Sequence, residues 1–505
     1  MIHTLQRRTG ALFALLLAVL LSISLVGPAL AATPDSRDDY ALGRYADTND
    51  WGDFSTPLTQ SLAILALHQA SDTEPSDNAV DLLVAQQCED GGFPDSFRAP
   101  STGDPAPCTS GVDTTALAVQ ALDAVGVDAA VQAAADWLVD VQGDDGEFGA
   151  EDGLNSNSTG LAAVALELGG YTEEADAARD WIIDLQDGCG SETPGAIPFN
   201  EGTRGAVELS TSQALLGMVD PAVGLADLDA TAVTGEPASD CDTEGQLGDP
   251  VVEAVTFLSG LVTEDAPYVT FPDSDVPNVG GTIDVLFGFA AAGTGETPVE
   301  RIREWLPGQA ASYTQDGEGG AGAGATAKLA LALLIADEDP RAIQAIDLIE
   351  QLEALEVTEL PEVTVACDGQ SVEPGDDVSC TISGLLAFET VDVQAERNPT
   401  LFEGAVSADG EGDADFAFSI PDDATEDGEV TITVDGLGAD GLAGLTLRVS
   451  VPETEEIDEP AEEEDEETLP ETGTLTAWLS GLGGVAVLLG AALLRVTRRT
   501  RLTAG

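Results

Sequence analysis

The sequence predicts a multidomain chain, α-helical first and β-stranded afterwards: an (α/α)6 toroid of six helical hairpins within residues 36–358, then a β-sandwich over 362–452. Three observations predict it. A Gln…Asp-Gly-x-Phe turn recurs along the first part of the chain. Apolar segments that begin with polar residues lie between the copies of this turn. Residues 362–452 alternate apolar with polar side chains.

The recurring turn indicates a repeat architecture. Residues 82–93 align without gaps on residues 137–148, so that Gln87 matches Gln142 and Phe93 matches Phe148. Residues 181–186 form a third copy and 304–306 a degenerate one. A period of a few tens of residues is typical of stacked supersecondary units.

The segments between the turns predict buried helices with polar N-terminal ends. Each is followed by an amphipathic segment with apolar residues at helical spacing. The resulting helix pairs are expected near residues 58–88, 112–142, 157–187, 210–262, 280–308 and 324–354. Six inner and six outer helices favour a closed toroid.

Both ends of the chain carry targeting signals. Arg7 and Arg8, an apolar run and Ala29-Leu30-Ala31 indicate a signal peptide over residues 1–31. Near the other end, the acidic stretch 453–468 is expected to be a disordered, extended linker. Residues 469–505 then hold Leu469, Pro470, Glu471, Thr472 and Gly473, an apolar stretch predicted to be a transmembrane helix, and a basic tail.

This three-part C-terminal order resembles the sorting signals of sortase substrates in Gram-positive bacteria. In that family, sortase cleaves after the threonine that corresponds to Thr472 and joins it to a peptidoglycan amine. The resemblance implies a secreted, wall-anchored protein with sortase and peptidoglycan as covalent partners. Its membrane contact would be limited to the C-terminal helix before sorting.

The charge of the chain excludes one class of partner. With 93 acids against 17 bases the net charge is −76, and removal of the six arginines of the two targeting segments makes it −82. Such a surface repels nucleic acid, so we expect no nucleic-acid partner. Solvation or adaptation to salt explains the acidity without a specific function.

The six cysteines of an exported chain favour disulfides. Pairing by proximity gives Cys88–Cys108, Cys189–Cys241 and Cys367–Cys380, although sequence leaves the connectivity open.

The repeats resemble those of terpenoid cyclases and protein prenyltransferases, a fold shared with complement thioester domains and cobalamin carriers. That family binds its ligand in the central cavity. The resemblance places a set of polar residues at the cavity of this chain, although the same residue types also cap helices. The candidates are Gln60, Asp113, Thr114, Asn157, Ser158, Thr211, Gln213, Asp284 and Lys328.

The catalytic signatures of these relatives are missing from the sequence. Neither Asp-x-Asp-Asp nor Asp-Asp-x-x-Asp occurs in the toroid region, and Gly188-Cys189-Gly190-Ser191-Glu192 has glutamate where a thioester needs glutamine. His68, the one histidine of the mature chain, is interpreted as structural. We therefore expect no catalytic residue, no metal and no cofactor.

Residues 362–452 resemble the Ig-like modules of actinobacterial surface proteins, which act mainly as spacers. The single lysine, Lys328, excludes a Lys–Asn isopeptide bond within them and disfavours a pilus shaft. The chain is thus predicted to display a non-enzymatic module for an unknown small-molecule, glycan or protein ligand on an actinobacterial wall. The alternatives are a carboxylate-dependent enzyme on terpenoid or glycan substrates, and a corrinoid carrier.

Overall fold

The computed structural model describes residues 36–48, 55–102, 107–150, 153–238, 247–272, 274–315, 320–369, 371–422 and 428–451, which fall in one compact unit. Apart from two short strand pairs, their helices precede their strands, which confirms the predicted α-then-β order. In these residues no helix is both long and apolar enough to cross a bilayer. The predicted signal peptide, acidic linker and sorting signal lie outside them.

Six helices form a closed inner ring. Each packs against the next along the chain, and the last packs against the first. They are buried on nearly every side, which explains why their apolar residues show so little periodicity. These inner helices are α1 (Pro57–Gln69), α3 (Val112–Ala124), α5 (Ser156–Leu168), α7 (Val207–Met218), α9 (Val279–Ala292) and α12 (Ala323–Ile335).

The outer helices alternate with the inner ones and bury a single face. In α6, for example, Ala175, Ala178 and Ile182 are buried, whereas the acidic residues between them face solvent. The outer helices are α2 (Asp77–Ala85), α4 (Asp128–Val141), α6 (Thr172–Leu185), α8 (Pro250–Leu261), α10 (Glu296–Trp305) and α13 (Leu348–Ala354), with a short helix α11 (Ala310–Thr314) between the last two pairs.

In three successive repeats, the glutamine of the recurring turn connects an outer helix to the next outer helix. Gln87 Nε2 donates to the carbonyl of Gly91 in its own turn at 2.7 Å and to that of Ala130 in α4 at 3.0 Å. Gln142 and Gln186 make the same two bonds in the next repeats. Each of these amides thus joins its own turn to the first turn of the next outer helix.

Two β-sheets follow the helices, and their apolar faces share one core. Alternate residues of β7, including Val378, Cys380 and Ile382, are buried, as period-2 alternation predicts. One sheet has the order β10-β7-β5 and the other β6-β12-β11-β8-β9. The strands are β5 (Thr364–Cys367), β6 (Ser371–Val372), β7 (Asp377–Ser383), β8 (Thr390–Glu396), β9 (Phe402–Ser407), β10 (Ala414–Ser419), β11 (Gly428–Gly436) and β12 (Ala439–Val449), and the earlier short strands are β1 (Phe93–Pro94), β2 (Ser110–Gly111), β3 (Gly149–Ala150) and β4 (Gly153–Leu154).

A buried ion pair joins the two sheets to the segment that precedes the ring. Arg37 Nε donates to both carboxylate oxygens of Glu389, at 2.9 and 3.0 Å, and the two residues are 6% and 0% exposed. Arg37 Nη2 donates to the carbonyl of Gly384, and Glu389 also accepts from the N–H of Leu386. These hydrogen bonds, together with the attraction between the two charges, offset the cost of removing both charges from water.

A disulfide-bonded loop adds a second contact between the ring and the sheets. Thr390 of β8 donates its N–H to the carbonyl of Pro100 and accepts from the N–H of Thr102. The bond between Cys88 and Cys108 closes the loop that carries these two residues.

The predicted disulfides are found wherever both partners are described. Cys88–Cys108 and Cys367–Cys380 are present. Cys189 is disulfide-bonded as well, but its predicted partner Cys241 lies outside the described residues. The Gly188–Glu192 segment therefore holds an oxidised cysteine in place of a thioester.

Candidate functional site

Near its start, each inner helix has one residue that marks the side of the helix facing the turns. We call it the register residue. It is the fourth residue of each inner helix, and the fifth of α7. In α7, Thr211 Oγ1 accepts from the N–H of Ile197 at 2.8 Å, and in α1 Gln60 Oε1 accepts from the N–H of Tyr45 at 3.1 Å. The threonines of α3, α5 and α9 make the same bond to their own turns.

The residue two positions further along each inner helix faces away from the turns and into the ring. Two residues rotate a helix by about 200°, which places this side chain opposite the register residue. We call the six places the lumen positions. They hold Leu62, Leu117, Leu161, Gln213, Asp284 and Lys328.

The first three lumen positions form an apolar side. Leu62, Leu117 and Leu161 keep 7%, 7% and 8% of their surface exposed, whereas most of the apolar residues that follow them in the same helices are completely buried. The lumen positions of α1, α3 and α5 are therefore apolar.

The other three lumen positions form a connected polar side. Lys328 Nζ lies 2.6 Å from Asp284 Oδ1, and Gln213 Nε2 donates to Asp284 Oδ2 at 3.3 Å. Gln213 Oε1 in turn accepts from Asn157 Nδ2 at 2.8 Å. Four neighbouring inner helices thus contribute one continuous chain of hydrogen bonds, in which a carboxylate and an ammonium neutralise each other.

Tyr313 of the short helix α11 completes the polar side, and sequence analysis did not identify it. Burial raises the pKa of its phenol; Lys328 lowers it and Asp284 raises it. Burial acts to lower the pKa of Lys328, but Asp284 and Tyr313 raise it by more, so its net direction is upward. The ammonium is consequently held in its charged form beside the carboxylate.

An inserted segment covers the C-terminal end of the ring. Between α7 and α8, the N–H of Leu225 donates to Gln120 Oε1 of α3 at 3.0 Å, and the carbonyl of Ala226 accepts from Gln69 at the end of α1. Thr234 reaches the end of α9 through its bond to Gly293. The apolar residues of this segment are buried in the same core as the ring. The contacts of this segment lie at the C-terminal end of the ring and leave the N-terminal end uncovered.

The rim at that end carries Asp113, one helical turn before Leu117. Burial raises the pKa of the Asp113 carboxyl, the Ser158 hydroxyl opposes this shift, and Asp95 adds to it. Among the described residues, the buried Asp113 Oδ1 has no hydrogen-bond partner, and the same is true of Asn157 Oδ1. Thr114 beside it donates to Asp95 Oδ1 at 2.6 Å.

The structure separates the nine candidates into groups. Gln213, Asp284 and Lys328 are at lumen positions, with Asn157 bonded to them, while Asp113, Thr114 and Ser158 lie at the rim. Gln60 and Thr211 face the turns, where Gln60 also donates to the carbonyls of Gly43 and Ala79. The helix caps are other residues, such as Asn155, which accepts from the N–H of Ser158 in α5. A role in ligand contact stays a prediction for the first two groups.

The described residues contain no group of three or more histidine, cysteine or acidic side chains arranged to hold a metal. His68 Nδ1 lies 3.3 Å from Glu74 at the surface, away from the lumen network.

Comparison with known proteins provides no assignment: no family model matches the chain, and no curated protein resembles it significantly.

Proposed function

We propose that this chain is an exported protein, anchored covalently to a Gram-positive wall, that displays a non-catalytic (α/α)6 toroid as a ligand-binding module on an Ig-like β-sandwich. The observation that carries the binding role is the division of the lumen into three leucines on one side and Gln213, Asp284 and Lys328 on the other. An internal surface with two such sides suits a small ligand that has an apolar body and a polar group.

The hydrogen bonds of Asp284 favour binding over acid–base chemistry. Its two carboxylate oxygens already accept from Lys328 and Gln213. A general acid or base instead needs a carboxyl group that can hydrogen-bond to the proton it transfers to or from the substrate. The lumen network therefore supports an orienting role for these residues.

The wall location rests on the sequence signals at residues 469–505, and the structure adds one supporting fact. Lys328, the single lysine, has a side chain only 19% exposed and paired with Asp284. A sortase that polymerises pilus subunits needs an accessible lysine amine as its nucleophile. Display of single copies is thus the favoured arrangement.

The proposal is tested by mass spectrometry of small molecules retained by the protein after muralytic release from its native wall. We expect an amphiphilic compound in the wild type and its loss in the double variant Asp284→Leu/Lys328→Met, which changes the volume of the two side chains little but removes both charges. The exposed substitution Asp140→Asn is the control and should retain the compound. Equal retention by the double variant, or no compound in the wild type, would contradict a binding role for the lumen.

A further inference from the structure

A second concave site lies outside the lumen, over the start of α3. It is a cleft of about 560 Å³ between the turn that contains β1 and β2 and the outer helix α4. Its lining combines two carboxylates, four hydroxyl side chains and several apolar groups. The lining residues that bear on its chemistry are Leu58, Asp95, Asp113, Thr114, Trp137 and Val141.

The two carboxylates of the cleft have hydrogen-bond acceptor positions that no described residue occupies. Asp113 Oδ1 is buried without a hydrogen-bond partner among the described residues, and a buried acceptor in this state destabilises the fold until a donor reaches it. Asp95 is exposed and has one bond from Thr114, although a carboxylate accepts several. Both groups therefore suit a ligand that donates hydrogen bonds.

The apolar part of the lining comes from α4 and α1. Trp137 packs against Gly92 and is 8% exposed, whereas Val141, one turn further along α4, is 42% exposed. Leu58, on the facing inner helix, continues this surface towards the ring. A metal ion would gain nothing from contact with this apolar surface, whereas a ligand with one apolar face would bury it.

We propose that this cleft binds an uncharged carbohydrate, with ring hydroxyls donating to Asp95 and Asp113 and an apolar sugar face against the Trp137–Val141 wall. A single pyranose ring presents hydroxyl groups around its edge and an apolar face of C–H groups. Acidic glycans are disfavoured because the cleft is lined by two carboxylates and by no arginine or lysine, in a mature chain of formal charge −82.

This site shares Asp113 with the rim of the ring but includes none of the six lumen positions. Asp113 lies at the rim of the ring, but Trp137 and Val141 belong to the outer helix and Asp95 to a turn. The cleft also opens at the surface of the module, where a chain of several sugar units could extend along it. Occupation of the lumen is not required for the contacts described.

Calorimetric titration of the folded ectodomain with four neutral tetrasaccharides tests the proposal. The probes are cellotetraose, maltotetraose, mannotetraose and tetra-N-acetylchitotetraose, with tetragalacturonate as the acidic comparison. We expect at least one neutral probe to bind, the acidic one not to bind, and Asp95→Ala and Asp113→Ala each to weaken binding roughly tenfold or more. Asp140→Asn, outside the cleft, should leave the affinity unchanged.

Two results would overturn the inference. One is the absence of binding by all four neutral probes at millimolar concentration. The other is binding that both alanine variants retain, or that the lumen double variant Asp284→Leu/Lys328→Met alone abolishes, since the sugar would then lie elsewhere. Asp95 is exposed, so its variant is expected to fold and to keep the test valid if Asp113→Ala does not. Thermal unfolding of each variant verifies this.

Discussion

Lys328 Nζ lies 2.6 Å from Asp284 Oδ1, and this ion pair links two neighbouring inner helices at the lumen. The side chains are 19% and 11% exposed, so both charges are largely removed from water. In such a setting the mutual attraction roughly balances the lost hydration, and the loss of one partner is far more harmful than the loss of both. The pair thus gives the lumen polarity at little net cost in stability.

The Lys328→Met substitution is expected to lower the free energy of unfolding by about 3 kcal/mol, because it leaves Asp284 unpaired. Asp284→Leu/Lys328→Met should recover most of this loss. Urea unfolding of both single variants and the double variant measures the coupling. Arg303→Met, which removes an ion pair at the surface with Glu338, is the matched control and should change stability by about 0.5 kcal/mol or less. If the double variant lost as much stability as the two single variants together, the two side chains would not be interacting and the description of the pair would be wrong.

The single lysine provides a direct reporter of the lumen. Incorporation of ¹³C-labelled lysine during expression labels Lys328 alone, and NMR then follows the titration of its unmodified amine. We expect the pKa of Lys328 to lie above its ordinary value of 10.5, as Asp284 and Tyr313 outweigh the effect of burial. Asp284→Asn should lower it, because burial would then be opposed by Tyr313 alone. A Lys328 pKa below 10.5 in the wild type would show that the pair is not formed.

Asp113 should make the stability of the protein depend on pH. Burial raises its pKa above 3.8, so the folded state holds this proton more tightly than the unfolded state does. The contribution of Asp113 to stability therefore falls as pH rises from 3.8 through the folded pKa. Asp113→Asn should be more stable than the wild type at pH 7, and the gap should close near pH 3. Asp140→Asn serves as the comparison, and a gap that widens on acidification would refute the assignment.

Arg37 and Glu389 are expected to control how firmly the sheets are held to the ring. The Arg37→Met substitution leaves Glu389 buried without its cation, a loss of about 3–5 kcal/mol for pairs of this kind. Hydrogen exchange should then accelerate in residues 384–390 and 98–102, which meet at this junction. Arg341→Met removes an exposed pair with Asp72 and should leave both segments protected. Unchanged exchange in Arg37→Met would mean that the remaining contacts suffice.

Replacement of the sorting motif tests the anchor. Deletion of residues 469–473 should release the protein into the medium or leave it in the membrane, whereas the wild type should remain in the wall fraction until muralytic digestion. Peptide mass spectrometry should locate the C-terminus of the released wild type at Thr472, joined to a peptidoglycan fragment. A C-terminus at Gly505 would exclude sorting.

The sequence was sufficient for the helices but not for the direction of individual side chains. The six predicted pairs of segments agree with the helix bounds because burial, turn residues and repeats all act locally. Gln60 and Thr211 were predicted at the cavity, yet a position two residues away points to the opposite side of a helix. The register became visible only through the bonds of Thr211 to Ile197 and Gln60 to Tyr45.

Other contributors were missed because their positions depend on tertiary contacts. Tyr313 reaches the polar side from a five-residue helix that carries no strong pattern. Asp95 and Trp137 meet at the cleft from two separate elements, and among so many acidic residues neither had a distinguishing signal. Gln120 and Leu225 are 105 residues apart, so their contact beneath the lumen could not be inferred from the sequence around either one.

The most direct test of the account is an experimental structure of the ectodomain released from its native wall, determined without added ligand. The account predicts density for a small molecule in the lumen, with a polar group bonded to Lys328, Asp284 or Gln213 and an apolar part against Leu62, Leu117 and Leu161. A lumen that is filled by protein side chains or contains only ordered water would contradict it.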